Sequence, residues 1–292
     1  MYRFMASHGF NNYEQLHAWS IERPGRFWQD LADFCDLRFD SPASEVLLQP
    51  GDMTTANWFP GSELNFASHL LRYSGDQPAI IFCGEDGTRR ELSWFELKHE
   101  VGRTAAALLG AGVCKGDRVA AFLPNCPEAI VAMLATASIG AVWSSCSPDF
   151  GINGVVDRFG QIEPKVLFCA DGYFYNGKRF DSQQAVTGVV EAIGSIRHTV
   201  VVPFTRSGVK SPSFVWWDDF LEEHPELSFT PLPFDHPLYI MYSSGTTGVP
   251  KCIVHGAGGT LIQHLKEHVL HGDIRRGDRL FYFTTCGWMM WN

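Results

Sequence analysis

One loop of this chain combines residues that can bind a polyphosphate. An apolar run at residues 239–242 leads into hydroxyl- and glycine-rich residues that end at Lys251. Glycines let backbone N–H groups approach an anion, hydroxyls add donors, and the lysine adds positive charge that no acidic residue in the loop opposes. An ordinary turn is the alternative. The candidate phosphate ligands are Ser243, Ser244, Gly245, Thr246, Thr247, Gly248 and Lys251.

The spacing of this loop identifies its type. From Gly245 to Lys251 it has the form G-x-x-G-x-x-K, whereas a Walker A loop requires G-x-x-x-x-G-K-[ST]. The string Tyr-Ser-Ser-Gly-Thr-Thr-Gly-Val-Pro-Lys at residues 242–251 resembles the signature loop of the acyl-adenylate-forming enzymes. That superfamily includes acid-CoA ligases, luciferases and the adenylation domains of nonribosomal peptide synthetases. The resemblance makes Lys251, Thr246 and Thr247 the candidate catalytic contacts.

Other segments narrow the resemblance to the acetoacetyl-CoA synthetases, with acetyl-CoA synthetases next. These segments are residues 58–66, 143–151, 157–165 and 284–292. The resemblance implies an α/β fold and an ATP-dependent ligase that activates acetoacetate as acyl-AMP and transfers it to coenzyme A. Acetyl-CoA synthetase or another short-chain ligase is the alternative within this class. A non-catalytic module that binds nucleotide or CoA, or another protein, is the alternative from a different class.

The resemblance also implies that a large part of such an enzyme lies outside this sequence. It covers residues 19–292, and family members continue for at least as many residues again. There they carry the adenine and ribose contacts, a magnesium-binding carboxylate and a small C-terminal domain with a lysine that assists adenylation. We therefore expect an N-terminal portion that is inactive alone and has the C-terminal portion as its partner, with the Mg²⁺ ligand beyond residue 292.

The resemblance places two further candidate sites. A basic, glycine-containing stretch after the strand predicted at 165–170 matches the segment of acetyl-CoA synthetases that binds the nucleotide end of CoA, and an exposed turn is the alternative. An aromatic and sulfur-rich run near residue 290 lies where related ligases line the acyl pocket, and core packing is the alternative. Methionine adapts to a four-carbon chain, and Asn292 can donate to a 3-keto oxygen. The CoA candidates are Tyr175, Asn176, Gly177 and Lys178, and the acyl-pocket candidates are Trp288, Met289, Met290 and Asn292.

Composition limits the partners. A net charge of -9 argues against nucleic acid, whose phosphates require a basic surface. No uncharged run is long enough to span a bilayer, and the first residues lack the apolar region of a signal peptide.

The eight cysteines have no framework spacing and are interpreted as reduced core residues of a cytoplasmic protein. Histidines at 264, 268 and 271 have helical spacing, but a metal site would need carboxylate or thiolate support, and the resemblance implies none there, so a plain helix face is expected.

The pattern of elements predicts how these residues are positioned. Residues 1–75 are interpreted as a helical N-terminal extension of the acetyl-CoA synthetase type, with Pro24 in the first turn of a helix. Residues 76–292 alternate short apolar strands with helices, which predicts parallel sheets flanked by helices, here part of an adenylation domain. Ser93 and Glu96 have capping-box spacing at the start of one helix. Residues 279–284 are predicted to be strand-like, and residues 258–270 to be one helix.

Overall fold

The computed structural model describes residues 1–207, 214–223, 226–243 and 248–292. The chain forms two compact units, each assembled from separate stretches. The first unit contains residues 1–69, 231–236 and 256–282. The second contains residues 70–230, 237–255 and 283–292. The domain boundary predicted near residue 75 stays a prediction.

The described helices and strands alternate along most of the chain. A π-helix at Lys266–His271 follows the last α-helix, and a 3₁₀ turn lies at Met289–Trp291. The α-helices are α1 Tyr2–Ser7, α2 Tyr13–Glu22, α3 Pro24–Phe34, α4 Phe66–Leu70, α5 Trp94–Gly110, α6 Pro127–Ser138, α7 Ile152–Ile162, α8 Gln183–Ala192, α9 Trp217–Phe220 and α10 Ala257–Leu265. The strands are β1 Leu47–Leu48, β2 Asn57–Trp58, β3 Glu63–Leu64, β4 Pro78–Cys83, β5 Arg89–Ser93, β6 Arg118–Phe122, β7 Val142–Cys146, β8 Val166–Ala170, β9 Gly172–Tyr175, β10 Lys178–Asp181, β11 His198–Val202, β12 Phe214–Trp216, β13 Leu232–Pro233, β14 Pro237–Ser243 and β15 Lys251–Gly256.

A seven-stranded sheet forms the centre of the second unit. Its strand order is β12-β11-β8-β6-β7-β14-β15. The pairs β12/β11, β11/β8, β8/β6, β6/β7 and β7/β14 are parallel. Because parallel strands of one sheet run in the same direction, the carboxyl ends of β6, β7, β8 and β14 share one edge. The predicted α/β fold is confirmed.

Helices cover both faces of this sheet. On one face, α7 and α8 pack on a buried cluster that includes Phe122 and Ile240. Neighbouring residues of a strand point to opposite faces. On the other face, accordingly, the hydroxyl of Tyr239 in β14 contacts the sulfur of Met133 in α6 at 3.8 Å. Burial on both faces explains why β8 is a continuous apolar run and why β6 is apolar after Arg118.

Helix α5 begins with the predicted capping box. The Ser93 hydroxyl accepts from the backbone N–H of Glu96 at 3.2 Å, and the Glu96 carboxylate accepts from the backbone N–H of Ser93 at 2.8 Å. Hydrogen bonds from the Ser93 backbone N–H and hydroxyl lower the pKa of Glu96. Two donors that the helix itself cannot satisfy are thus paired.

Replacing Ser93 by alanine is expected to lower the free energy of unfolding by about 1 kcal/mol, because the N-cap acceptor is lost. Ser93→Thr keeps a hydroxyl in the same place and is the matched control. Urea denaturation followed by circular dichroism measures both variants. An alanine variant as stable as the threonine variant would show that the box adds nothing to stability.

The first unit is rich in aromatic contacts. Pro24 occupies the first turn of α3, as predicted, and α3 buries Leu31 and Ala32. The Phe4 ring lies edge-on to Phe34, with ring centroids 5.2 Å apart. These contacts give the unit an apolar core of its own.

Three expectations from the sequence are wrong in detail. Residues 279–284 form no strand and pair with no described strand, so the strand predicted there is not formed. The helix predicted over 258–270 is α-helical only to Leu265 and continues as a π-helix. The prediction that all eight cysteines lie in the core is wrong for Cys83, Cys114 and Cys252, which are exposed. The other five cysteines are buried.

No α-helix in the described ranges combines the length and apolarity needed to cross a bilayer.

Candidate functional site

The candidate site lies where β6, β7 and β14 end. Ligands of parallel α/β proteins bind beyond the carboxyl ends of the strands, because loops there present backbone donors and polar side chains. The phosphate-loop candidates lie between the end of β14 and the start of β15. Two residues that hold the segment 284–291 lie nearby, Asn125 just after β6 and Ser145 near the end of β7. All of these residues belong to the second unit.

A buried hydroxyl ties β7 to the end of β14. The Ser144 Oγ atom lies 2.7 Å from the carbonyl oxygen of Ile240 and 2.9 Å from the Tyr242 hydroxyl. Burial raises the pKa of Tyr242, so this hydroxyl stays neutral at physiological pH. Burial likewise raises the pKa of the Cys146 thiol to about 12, which makes it unreactive near pH 7. Ser144 and Cys146 both belong to β7, and the contacts of Ser144 fix the end of β14, where the phosphate loop begins.

Three of the phosphate-loop candidates are described. Ser243 ends β14 and Lys251 begins β15, with Gly248 between them. The φ angle of Gly248 is +95°, in a region that disfavours residues with a side chain. Lys251 is exposed and forms no ion pair with any described residue, so its charge is available to an anion. The other four candidates, Ser244, Gly245, Thr246 and Thr247, lie outside the described residues.

A glutamine of α7 holds the end of this loop. Gln161 Nε2 donates to the backbone carbonyl of Pro250 at 2.8 Å and to that of Asp157 at 2.6 Å. Since Pro250 directly precedes Lys251, the contact fixes the backbone at the base of the lysine side chain. Nearby, the Arg158 guanidinium lies 4.5 Å from the centroid of the Phe150 ring.

Asn125 and Ser145 hold residues 284–291, a segment that contains three of the candidate acyl-pocket residues. Asn125 Nδ2 donates to the backbone carbonyl of Thr284. Asn125 Oδ1 accepts from Trp291 Nε1 at 2.7 Å and from Cys286 Sγ at 3.4 Å. The Ser145 hydroxyl donates to the Cys286 carbonyl at 2.7 Å. The segment is thus attached to the ends of both β6 and β7.

Gly287 lies where no side chain fits. A Cβ built there would be 2.5 Å from Cε2 of Phe150 and 3.0 Å from the backbone nitrogen of Ser147. The absence of a side chain lets the segment approach the turn that follows β7.

Three predicted acyl-pocket side chains face outward. Trp288 is 63%, Met289 40% and Met290 64% exposed, so packing of the methionines in the core is wrong for this structure. Asn292 Oδ1 is buried without a hydrogen-bond partner among the described atoms. The exposed side chains offer apolar surface to a short carbon chain, and Asn292 offers a polar group.

The predicted CoA residues form the tip of a hairpin. Strands β9 and β10 pair antiparallel, and Asn176 and Gly177, with φ angles of +52° and +70°, make the turn between Tyr175 and Lys178. All four residues are exposed, and the Gly177 N–H donates to the Glu85 carboxylate at 3.1 Å. A carboxylate at the tip opposes phosphate binding, whereas Lys178 favours it.

The described residues offer no ligand set for a metal ion. Within them, no group of three or more histidine, cysteine, aspartate or glutamate side chains is placed to hold one. His264 lies in the last turn of α10, and His268 and His271 lie in the π-helix. The ring centroids of His264 and His268 are 6.0 Å apart.

Sequence reasoning missed Asn125, Ser145 and Gln161 as supports of the site. One available signal was a polar residue directly after a buried strand, as at Asn125. Their partners are 89 to 166 residues away in the chain, beyond the reach of any local pattern.

Comparison with protein families finds two matches. The AMP-binding enzyme family matches residues 66–291, and the acetyl-coenzyme A synthetase N-terminus matches residues 13–70. The first match includes every candidate phosphate, CoA and acyl-pocket residue except Asn292.

Individual relatives carry related names. An acetoacetyl-coenzyme A synthetase of Rhizobium meliloti is 52% identical over 97% of this chain and 44% of its own length. A malonamoyl-CoA synthetase of Penicillium aethiopicum is 42% identical over 98% of this chain and 42% of its own. The solved acetoacetyl-CoA synthetase of Streptomyces lividans superposes with a TM-score of 0.94 at 42% identity, covering 99% of this chain and 46% of that one. The chain thus spans less than half the length of these relatives.

Proposed function

Because the chain belongs to the family of AMP-binding enzymes, we propose that it is the N-terminal part of an ATP-dependent acid-CoA ligase that acts on acetoacetate. One observation carries the proposal: Lys251, exposed and without an ion-pair partner among the described residues, closes a glycine- and hydroxyl-rich sequence at the carboxyl end of a parallel strand. ATP and coenzyme A are the co-substrates, and AMP and pyrophosphate are released with the thioester.

The reaction proceeds in two steps. A carboxylate is a poor electrophile, so its oxygen first attacks the α-phosphorus of ATP. A bond from this oxygen to phosphorus forms, and the bond from phosphorus to the pyrophosphate oxygen breaks. The thiolate of coenzyme A then attacks the acyl carbon, and AMP leaves with the oxygen it received.

The chain's own part is to stabilise the first step. Negative charge grows on the leaving pyrophosphate, and fixed donors directed at that charge lower the barrier without having to reorganise. We assign this role to Lys251, Thr246 and Thr247, with Ser243, Ser244, Gly245 and Gly248 completing the phosphate contacts. The hydrogen bond from Gln161 to Pro250 supports it by fixing the backbone beside the lysine.

The hairpin tip at Tyr175, Asn176, Gly177 and Lys178 is proposed to contact the nucleotide end of coenzyme A. The magnesium ligand is proposed to lie beyond residue 292, in the part of the enzyme that the family resemblance implies.

The full-length protein is required to test turnover. Here, full-length protein means the chain expressed with its own downstream coding sequence, or joined to the C-terminal part of the Rhizobium meliloti relative. Formation of acetoacetyl-CoA, with AMP as co-product, tests the proposal directly, and the 292-residue chain alone is the negative control. A full-length protein that binds ATP and CoA calorimetrically but forms no thioester with any acid would favour a non-catalytic binding module.

The acid preference is expected to depend on Asn292. A polar group that pairs with the 3-keto oxygen favours acetoacetate over butyrate, because an unpaired buried group costs more than a lost methylene. Asn292→Ala is therefore expected to reduce the acetoacetate to butyrate ratio of specificity constants by roughly tenfold. An unchanged ratio in Asn292→Ala would show that Asn292 does not contact the acid. A wild-type protein that prefers acetate to acetoacetate would overturn the assignment of acetoacetate as the substrate.

A further inference from the structure

Asn125 makes several contacts to one distant segment. Its side-chain amide holds the carbonyl of Thr284, the thiol of Cys286 and the indole N–H of Trp291, although these residues are 159, 161 and 166 positions away. Asparagine provides two donors and an acceptor in one short planar group. A single residue after β6 thereby joins both ends of residues 284–291.

These hydrogen bonds hold the two ends of the 284–291 segment but not its middle. Ser145 holds the Cys286 carbonyl from the end of β7, and Asn125 holds both ends. Between Cys286 and Trp291 lie the exposed Trp288, Met289 and Met290. Because these side chains have little packing of their own, their positions depend on the anchors beneath them.

We propose that Asn125 is a positioning residue that fixes the 284–291 turn and thereby sets the selectivity for the acid. The anchoring part stands on the hydrogen bonds alone, whereas the selectivity part rests on the proposed function. Neither leucine nor aspartate can make all of the hydrogen bonds of Asn125. Leucine has no polar group, and aspartate lacks the N–H that donates to the Thr284 carbonyl.

Hydrogen exchange of this chain tests the anchoring. In Asn125→Leu, peptides covering 284–291 are expected to exchange about tenfold faster, while peptides from β6 and α6 keep their rates. Asn153→Leu, a change at another exposed asparagine of the same unit, is the matched control and is expected to leave 284–291 unchanged. Equal rates in Asn125→Leu and the control, or a uniform rise across the unit, would overturn the anchoring.

A second variant separates anchoring from general destabilisation. Trp291→Phe removes the indole donor from the other side of the same hydrogen bond. If Asn125 and Trp291 act through this bond, the double variant raises the exchange rate of 284–291 by less than the product of the two single fold-increases. Effects of Asn125→Ala, which also removes the acceptor oxygen, and Trp291→Phe that multiply fully would contradict the coupling, even if the leucine variant fails to fold.

Acid selectivity of the full-length protein tests the second part. Asn125→Leu is expected to lower the acetoacetate to acetate ratio of specificity constants about tenfold, with the KM for ATP changed less than about twofold. A fall in activity that is equal for both acids would show that the residue only supports stability. If the wild type activates no acid, the proposed function fails, and hydrogen exchange decides the anchoring by itself.

Discussion

Replacing Lys251 by alanine in the full-length protein is expected to slow acyl-AMP formation by roughly 10²–10³-fold, the usual effect of losing one donor to a developing negative charge. The lysine is exposed, unpaired among the described residues and fixed at its backbone through the contact of Pro250 with Gln161. Transfer of the acyl group from preformed acyl-AMP to coenzyme A releases no pyrophosphate, so this second step is expected to change much less.

Single-turnover measurements of the two half-reactions test this expectation. Lys115→Ala removes an exposed lysine far along the chain from the loop and is the matched control for loss of one positive charge. Equal losses in both half-reactions would indicate that Lys251 supports the fold of the loop rather than the departure of pyrophosphate.

Replacing Gly287 by alanine is expected to reduce the specificity constant for acetoacetate by about 10²-fold, the scale of a misplacement near 1 Å. The added Cβ meets the Phe150 ring and the backbone nitrogen of Ser147, and backbone cannot rotate away as a side-chain end can. Overpacking of this kind also lowers the free energy of unfolding by about 1–3 kcal/mol.

Gly160→Ala is the control for this glycine. Its Cβ meets nothing within 4 Å, and its site lies within helix α7, where alanine is favoured over glycine by roughly 0.5–1 kcal/mol. Steady-state kinetics and urea denaturation of both variants give the comparison. Wild-type kinetics for Gly287→Ala would show that the 284–291 segment tolerates displacement and is not part of the acyl site.

Local signals predicted much of the fold correctly. The capping box at Ser93, the helix start at Pro24 and the apolar strands of the sheet are each specified within a few residues. Such signals succeed because backbone capping, a fixed proline φ angle and burial on both faces act over short stretches of chain.

The remaining features depend on contacts that are distant in sequence. No local pattern reveals that Asn125 joins Thr284 to Trp291, or that Gln161 holds Pro250, since hydrogen-bond partners are chosen by the fold. Residues 279–284 fail as a strand for a related reason: their apolar pattern suits a strand, but a strand forms only where a neighbour pairs with it. Similarly, apolar periodicity predicted a helix at 258–270 without distinguishing its π-helical end.

Exchange of labelled pyrophosphate into ATP by the full-length protein tests the central claim most directly, because it reports the adenylation step without requiring coenzyme A. We expect acetoacetate to support this exchange well above the rate without acid, and Lys251→Ala to remove nearly all of it. Exchange that is independent of added acetoacetate would contradict the assignment of this chain to the activation of acetoacetate. Acetoacetate-dependent exchange that persists unchanged in Lys251→Ala would contradict the role given to Lys251.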